Sequence, residues 1–218
     1  VTTRAVLLDL DGTLADSLPI LYKAYLMFLH RHGHEGSPEE FERLNGPSLG
    51  EIVTYLIDKY ELPFTPSDLG IEGYKLLVQA YATKIPLFPG SEEFLKRVKS
   101  QGHELAIVTS LPDPLAEAFL DRHGIDHYFC EVVTPETMEP GKPNPAIYQR
   151  ALELLSLEPH EAVVFEDSIQ GAQAAVSAKI PTVQIRHGST ASTLADGIAQ
   201  EVADWTGGWE WVAARIDR

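Results

Sequence analysis

With 218 residues and 44% hydrophobic content, the chain can fill a sizeable core in one domain, or in one domain plus an insertion. Acidic residues outnumber basic ones 32 to 17, for a net charge of −15, a field that disfavours nucleic acid and anionic membranes as partners. Cys130 stands alone, which excludes an intrachain disulfide, and no stretch approaches the ~18 apolar residues of a membrane span, so a cytoplasmic protein is expected.

Ala5 to Leu8 is a short apolar run, the length of a buried strand and too short for a helix. It runs into Asp9, Asp11 and Gly12, and on a strand the two acids at i and i+2 would point the same way. From Asp16 to Ile85 the pattern is helical, with no strand as good as the first. Pro19 stands near the start of a helix from Ile20 to Arg31. Ser37-Pro38-Glu39-Glu40 has the residues of a capping box with proline at the first helical position. Ser48 can cap Leu49 to Tyr60, and Thr65-Pro66-Ser67-Asp68 starts another helix that ends near Thr83. Helices without strands, placed after strand one, predict an inserted α-helical domain at 16–85. Pro86 and Pro89-Gly90 mark the return to a core domain made of 1–15 and 86–218.

The remainder alternates. Ser91 is read as the cap of a helix to Ser100, Glu104 to Thr109 as a strand, and Asp113-Pro114 as the start of a helix to His123. Phe129 to Val133 is a short strand, Asn144-Pro145 opens a helix to Leu155, and Ala162 to Phe165 is a strand. Ser168 opens a helix to Ala178, and Thr182 to Ile185 is the last clear strand. Strand–helix alternation predicts a parallel, doubly wound α/β sheet, with the strand ends gathered on one rim.

Chemistry collects at those ends. Asp9 and Asp11 follow the first strand, and Thr109-Ser110 follows the second, where hydroxyls and N–H groups suit phosphate oxygens but can also simply cap a helix. Lys142 lies between Gly141 and Pro143, which hold it in one place. Glu166-Asp167 ends a further apolar strand, across the rim from the first pair. Three or four carboxylate oxygens plus water make a hard site that suits Mg²⁺.

This arrangement resembles the haloacid dehalogenase (HAD) superfamily, with Asp9-Leu10-Asp11-Gly12-Thr13, Thr109, Lys142 and Glu166-Asp167 as its four motifs in order. The likeness covers essentially the whole chain and includes a helical cap after the first motif, as in the subfamily of phosphoglycolate phosphatase and β-phosphoglucomutase. It implies a phosphatase acting on a small phosphorylated metabolite through an aspartyl-phosphate. Asp9 would be the nucleophile, and Asp11 the general acid and then base. Mg²⁺ would be held by the Asp9 carboxylate, the Asp11 carbonyl and Asp167, with Glu166 joining it or orienting its waters. Thr109, the Ser110 N–H and Lys142 would grip the phosphoryl oxygens.

Departures from the family pattern narrow the choice. The acid at Asp11 favours phosphoryl chemistry over dehalogenation. No histidine follows in the hinge Ser17-Leu18-Pro19-Ile20-Leu21, and Leu49 and Gly50 stand where mutases use a basic residue. A phosphatase is therefore expected over a phosphomutase, or over a HAD-fold binding protein without activity, and as a monomer or weak homodimer. His30, His32 and His34 face apart on a helix and read as positive charge at its C-terminus rather than a metal tract. Trp205, Trp209 and Trp211 read as a docked terminal helix, with an oligomer interface as the other option.

Overall fold

The computed structural model describes residues 3–135, 140–188 and 194–216, except for the side chains of 68–76 and 216. In chain order it runs β1 (Ala5–Leu8), α1 (Leu18–Arg31), α2 (Pro38–Leu44), α3 (Leu49–Tyr60), α4 (Pro66–Thr83), α5 (Ser91–Ser100) and β2 (Glu104–Val108). There follow α6 (Asp113–His123), β3 (Glu131–Val133), α7 (Ala146–Leu155), β4 (Ala162–Glu166) and α8 (Ile169–Ser177). The chain closes with β5 (Thr182–Ile185), β6 (Gln200–Val202) and α9 (Trp205–Ile216).

The strands form one parallel sheet in the order β3-β2-β1-β4-β5-β6, so the fold is the expected doubly wound α/β architecture. β1 is central, and Leu8 lies level with Ile107 on β2 and Phe165 on β4. Residues just beyond those positions therefore meet at one rim, where open α/β sheets bind ligands.

Strand alternation sorts the core into two layers. Val6, Leu8, Ile107 and Phe165 pack with Phe94, Phe119 and Trp205 on one face. Leu7, Val108 and Val164 pack with Ile147, Tyr148 and Ala174 on the other. Burying a side chain such as Phe165 is worth about 2–3 kcal/mol. Phe165 also meets Phe94 edge-on at 5.3 Å and Trp205 at 5.5 Å. Trp205 and Trp211 are buried in this layer, so the C-terminal helix docks on the sheet.

The helices between β1 and α5 form a second body. Tyr25, Leu29 and Leu56 make its own small core, whereas Tyr81 and Ile85 join the core of the sheet. Among the described residues no helix is long and apolar enough to cross a membrane.

Three local expectations change. Ser37 accepts from the Glu40 N–H as predicted, but the Glu40 carboxylate does not return to complete the box, because it is drawn into the helical body instead. The completed box belongs to Ser48 and Glu51. Ser91 is the first residue of its helix rather than the cap; its hydroxyl donates back to the Phe88 carbonyl, and Gly90 takes the cap position. β6 is an additional strand: Gln200-Glu201-Val202 lies at the sheet edge, where a mostly polar strand carries no apolar signature. The His30–His34 stretch packs on rings, His32 against Phe28 and Phe64 and His34 against Tyr60.

Candidate active site

β1 ends at Leu8, and the Asp9 N–H continues the ladder by donating to the Phe165 carbonyl at 3.1 Å. Alternation puts Asp9 on the side of Leu7, and Glu166 on the side of Val164, so both face the layer that holds Tyr148. The chain then turns at Gly12 with φ +78°, and a Cβ there would lie 2.2 Å from Asp167 Oδ2. Glycine is required by both the turn and this close approach. Because the strand stops before the turn, alternation does not reach Asp11. Both acids nevertheless line one cavity.

Lys142 is 2% exposed, and its ammonium is fully committed. It donates to Asp9 Oδ1 at 2.6 Å, to Glu166 Oε1 at 2.6 Å and to the Val108 carbonyl at 3.1 Å, with the Tyr148 ring 5.2 Å away. Burial alone would push the ammonium toward neutrality, but Asp9 and Glu166 outweigh it and hold Lys142 charged. Glu166 is equally engaged. Its second oxygen accepts from the N–H and the hydroxyl of Ser168, and Tyr148 donates to the first at 3.1 Å.

Asp167 sits on the other side of Gly12. It accepts from Thr13 at 3.3 Å and from the Asn45 side chain at 3.1 Å. Burial and the neighbouring Glu166 charge push its carboxyl up to about 8. Burial also raises Asp9, with Glu166 adding to the effect and Lys142 opposing it. Asp11 is raised by burial too, moderated by Tyr81, whose hydroxyl donates to Asp11 Oδ1 at 2.6 Å.

Thr109 is buried, and its hydroxyl oxygen accepts the Leu111 N–H at 3.1 Å. That leaves the hydroxyl hydrogen free to donate. The Ser110 hydroxyl reaches 2.6 Å to the Gly46 carbonyl on the loop between α2 and α3. Together with Asn45 to Asp167 and Gly141 N–H to Glu51 at 3.3 Å, it seats the helical body on the rim. The seven site residues expected from sequence therefore lie together, six at the carboxyl ends of β1, β2 and β4 and Lys142 on the segment between β3 and α7.

The donor set fits a hard divalent cation. Among the described residues, one cluster of possible metal ligands exists, Asp9, Glu166 and Asp167, with an oxygen of each within 4.8 Å of the others. Three carboxylates share the single ammonium of Lys142, and ionising all three would leave two negative charges for a cation to balance, the charge of one Mg²⁺. Sequence reasoning missed Asn45, Tyr81 and Tyr148, which orient Asp167, Asp11 and Glu166. Their partners are far away in the chain, and no local pattern announces them.

Comparison with known proteins agrees with this construction. Residues 6–185 match the family model described as haloacid dehalogenase-like hydrolase. The phosphorylated carbohydrates phosphatase of Thermotoga maritima is 31% identical over 180 residues, 83% of each chain. The phosphoglycolate phosphatase of Neisseria meningitidis is 28% identical over 207 residues, 93% of this chain and 88% of its own. The crystal structure of CbbY from Rhodobacter sphaeroides in complex with phosphate superposes over the whole of both chains, with a TM-score of 0.85 and 24% identity. With its parallel sheet, its acidic rim and a family match over most of its length, this chain belongs to the haloacid dehalogenase-like hydrolases.

Proposed function

We propose that this chain is a Mg²⁺-dependent phosphatase that hydrolyses a small phosphate monoester through an aspartyl-phosphate on Asp9. The observation that carries the reading is the environment of Asp9. Its carboxylate is held 2.6 Å from Lys142 in a cavity that Asp11 and Thr109 also line. The phosphatase names of the Thermotoga and Neisseria relatives support phosphate monoesters as the substrate class.

In this mechanism a carboxylate oxygen of Asp9 attacks phosphorus, and the bond from phosphorus to the leaving oxygen breaks. Asp11, whose carboxyl is raised above its ordinary range by desolvation, gives that oxygen its proton. A water then attacks the phosphorus of the aspartyl-phosphate and passes a proton to Asp11, and the bond to Asp9 breaks to release phosphate. Lys142 fixes the nucleophile, and the Thr109 hydroxyl and Ser110 N–H receive phosphoryl oxygens. Tyr81 keeps Asp11 aimed into the cavity. Asp9, Asp167 and the Asp11 carbonyl, with Glu166 beside them, would hold Mg²⁺, which would supply charge neutralisation at the phosphoryl group. Residues 16–85 act as the cap that closes the cavity against bulk water.

The test is Asp9→Asn assayed with p-nitrophenyl phosphate and Mg²⁺. Turnover is expected to fall to background, and a rate equal to wild type would refute the assignment. Assaying sugar phosphates for isomerised product as well as free phosphate separates hydrolysis from transfer to a sugar hydroxyl.

A further inference from the structure

The cavity at Asp9 has a volume of 290 Å³ and extends away from the rim between α1, α3 and α4. Those helices present Leu21, Ala24, Ile52, Val53, Leu77 and Ala80 to it. The polar side chains on its wall that come from outside the reacting set each already hold a bond within the protein. Tyr25 bonds to Glu40, Tyr81 to Asp11, Asn45 to Asp167, Ser110 to the Gly46 carbonyl and Ser168 to Glu166. Among the described residues the one cation lining it is Lys142, whose three protons go to Asp9, Glu166 and Val108.

From this wall we infer that the leaving group is uncharged and largely hydrocarbon, so that the substrate is an alkyl or aryl phosphate monoester. The inference rests on the phosphatase reading, because it is a phosphoryl group at Asp9 that places the leaving group in this space. A carboxylate or second phosphate on the leaving group would be desolvated with no cation among the described residues to meet it, in a chain of net charge −15. The hydroxyls of a sugar would exchange water for a mostly carbon wall, where Tyr25, Tyr81, Ser110 and Ser168 already spend their hydroxyl protons within the protein. An alkyl or aryl group loses nothing by entering and gains the burial of its own surface. At 290 Å³ the cavity is at the small end of ligand sites, which makes hexyl and phenyl groups the sizes to test.

Calorimetric titration of hexylphosphonate, methylphosphonate and phosphonoacetate, with Mg²⁺ present, reads the cavity without turnover. Hexylphosphonate is expected to bind about tenfold or more tighter than methylphosphonate, with a negative heat-capacity change, and phosphonoacetate weakest of the three. In turnover, kcat/KM for hexyl phosphate and phenyl phosphate should exceed that for phosphoglycolate and glucose 6-phosphate by about a hundredfold. Ile52→Asn places an amide on the wall and should shrink that preference by about tenfold; Leu21→Gln makes the same change from another helix should the first variant fail to fold. Tightest binding of phosphonoacetate, or a preference for phosphoglycolate or glucose 6-phosphate, would overturn the inference and leave a phosphatase standing. No hydrolysis of any monoester, with hexylphosphonate still bound, would instead overturn the phosphatase reading and the substrate class with it.

Discussion

Lys142 divides its protons among Asp9, Glu166 and the Val108 carbonyl, so the position of the proposed nucleophile depends on how Lys142 is held. Glu166 in turn is set by Ser168, Tyr148 and the backbone of α8. Gly171 lies where an added Cβ would come within 1.8 Å of Glu166 Oε1 and 2.0 Å of its carboxyl carbon. In an ordinary helix, alanine in place of glycine stabilises by about 1 kcal/mol. Here the carboxylate cannot swing away without abandoning Lys142, and overpacking of this kind costs about 1–3 kcal/mol. Gly171→Ala is therefore expected to lower the melting temperature and to reduce p-nitrophenyl phosphate turnover by about tenfold or more, since Asp9 would lose its alignment. Thermal melts alongside the assay decide it: a variant that is both more stable and fully active would show that Glu166 does not position Lys142.

The helical body is held together by one buried acid that links three of its elements. Glu40 on α2 accepts from Tyr25 on α1, and from Lys59 at 2.6 Å and Tyr60 at 2.5 Å on α3. Burial works against its charge, but the Lys59, Tyr25 and Tyr60 donors outweigh it and hold the carboxyl down at about 2, against an ordinary 4.5. A depressed carboxyl contributes its stability above the unfolded value, near pH 4.5, and loses it as pH falls through the folded value near 2. Glu40→Gln should destabilise by about 2 kcal/mol at neutral pH, the range for losing hydrogen bonds to a charged group. The gap between variant and wild type should close between pH 4.5 and pH 2. Urea unfolding at several pH values measures it, and a gap that stays constant with acidification would assign the effect to packing rather than charge.

At the scale of the whole molecule, a chain of net charge −15 concentrates three carboxylates at the rim beside a single lysine. Ionising all three against one lysine is unfavourable without a cation, as the raised carboxyls of Asp9 and Asp167 reflect, so binding and stability are linked. Mg²⁺ at about a hundred times its dissociation constant should stabilise by about 2.7 kcal/mol. For a chain of this size that raises the melting temperature by roughly 5–10 °C. Asp167→Asn should remove most of the rise, and chelation should abolish turnover while leaving the melt of the metal-free protein unchanged. A melting temperature indifferent to Mg²⁺ would count against the cation site.

Local patterns were enough for the α/β alternation, the run of helices after β1 and the placing of acids and hydroxyls at the ends of β1, β2 and β4. Each of those is written in neighbouring residues, as an apolar run, a turn and the acid or hydroxyl that follows. Partner choice was not legible. Tyr81 for Asp11 and Asn45 for Asp167 bridge distant stretches, and nothing near them in the chain requires the bond. Glu40 had the spacing of a capping box, but tertiary structure offered it Lys59 and two tyrosines in place of one backbone N–H. The edge strand β6 escaped because pairing with β5, rather than an apolar face, defines it. Short-range sterics and burial periodicity set elements and their order, whereas the pairing of buried polar groups depends on which surfaces meet once the chain has closed.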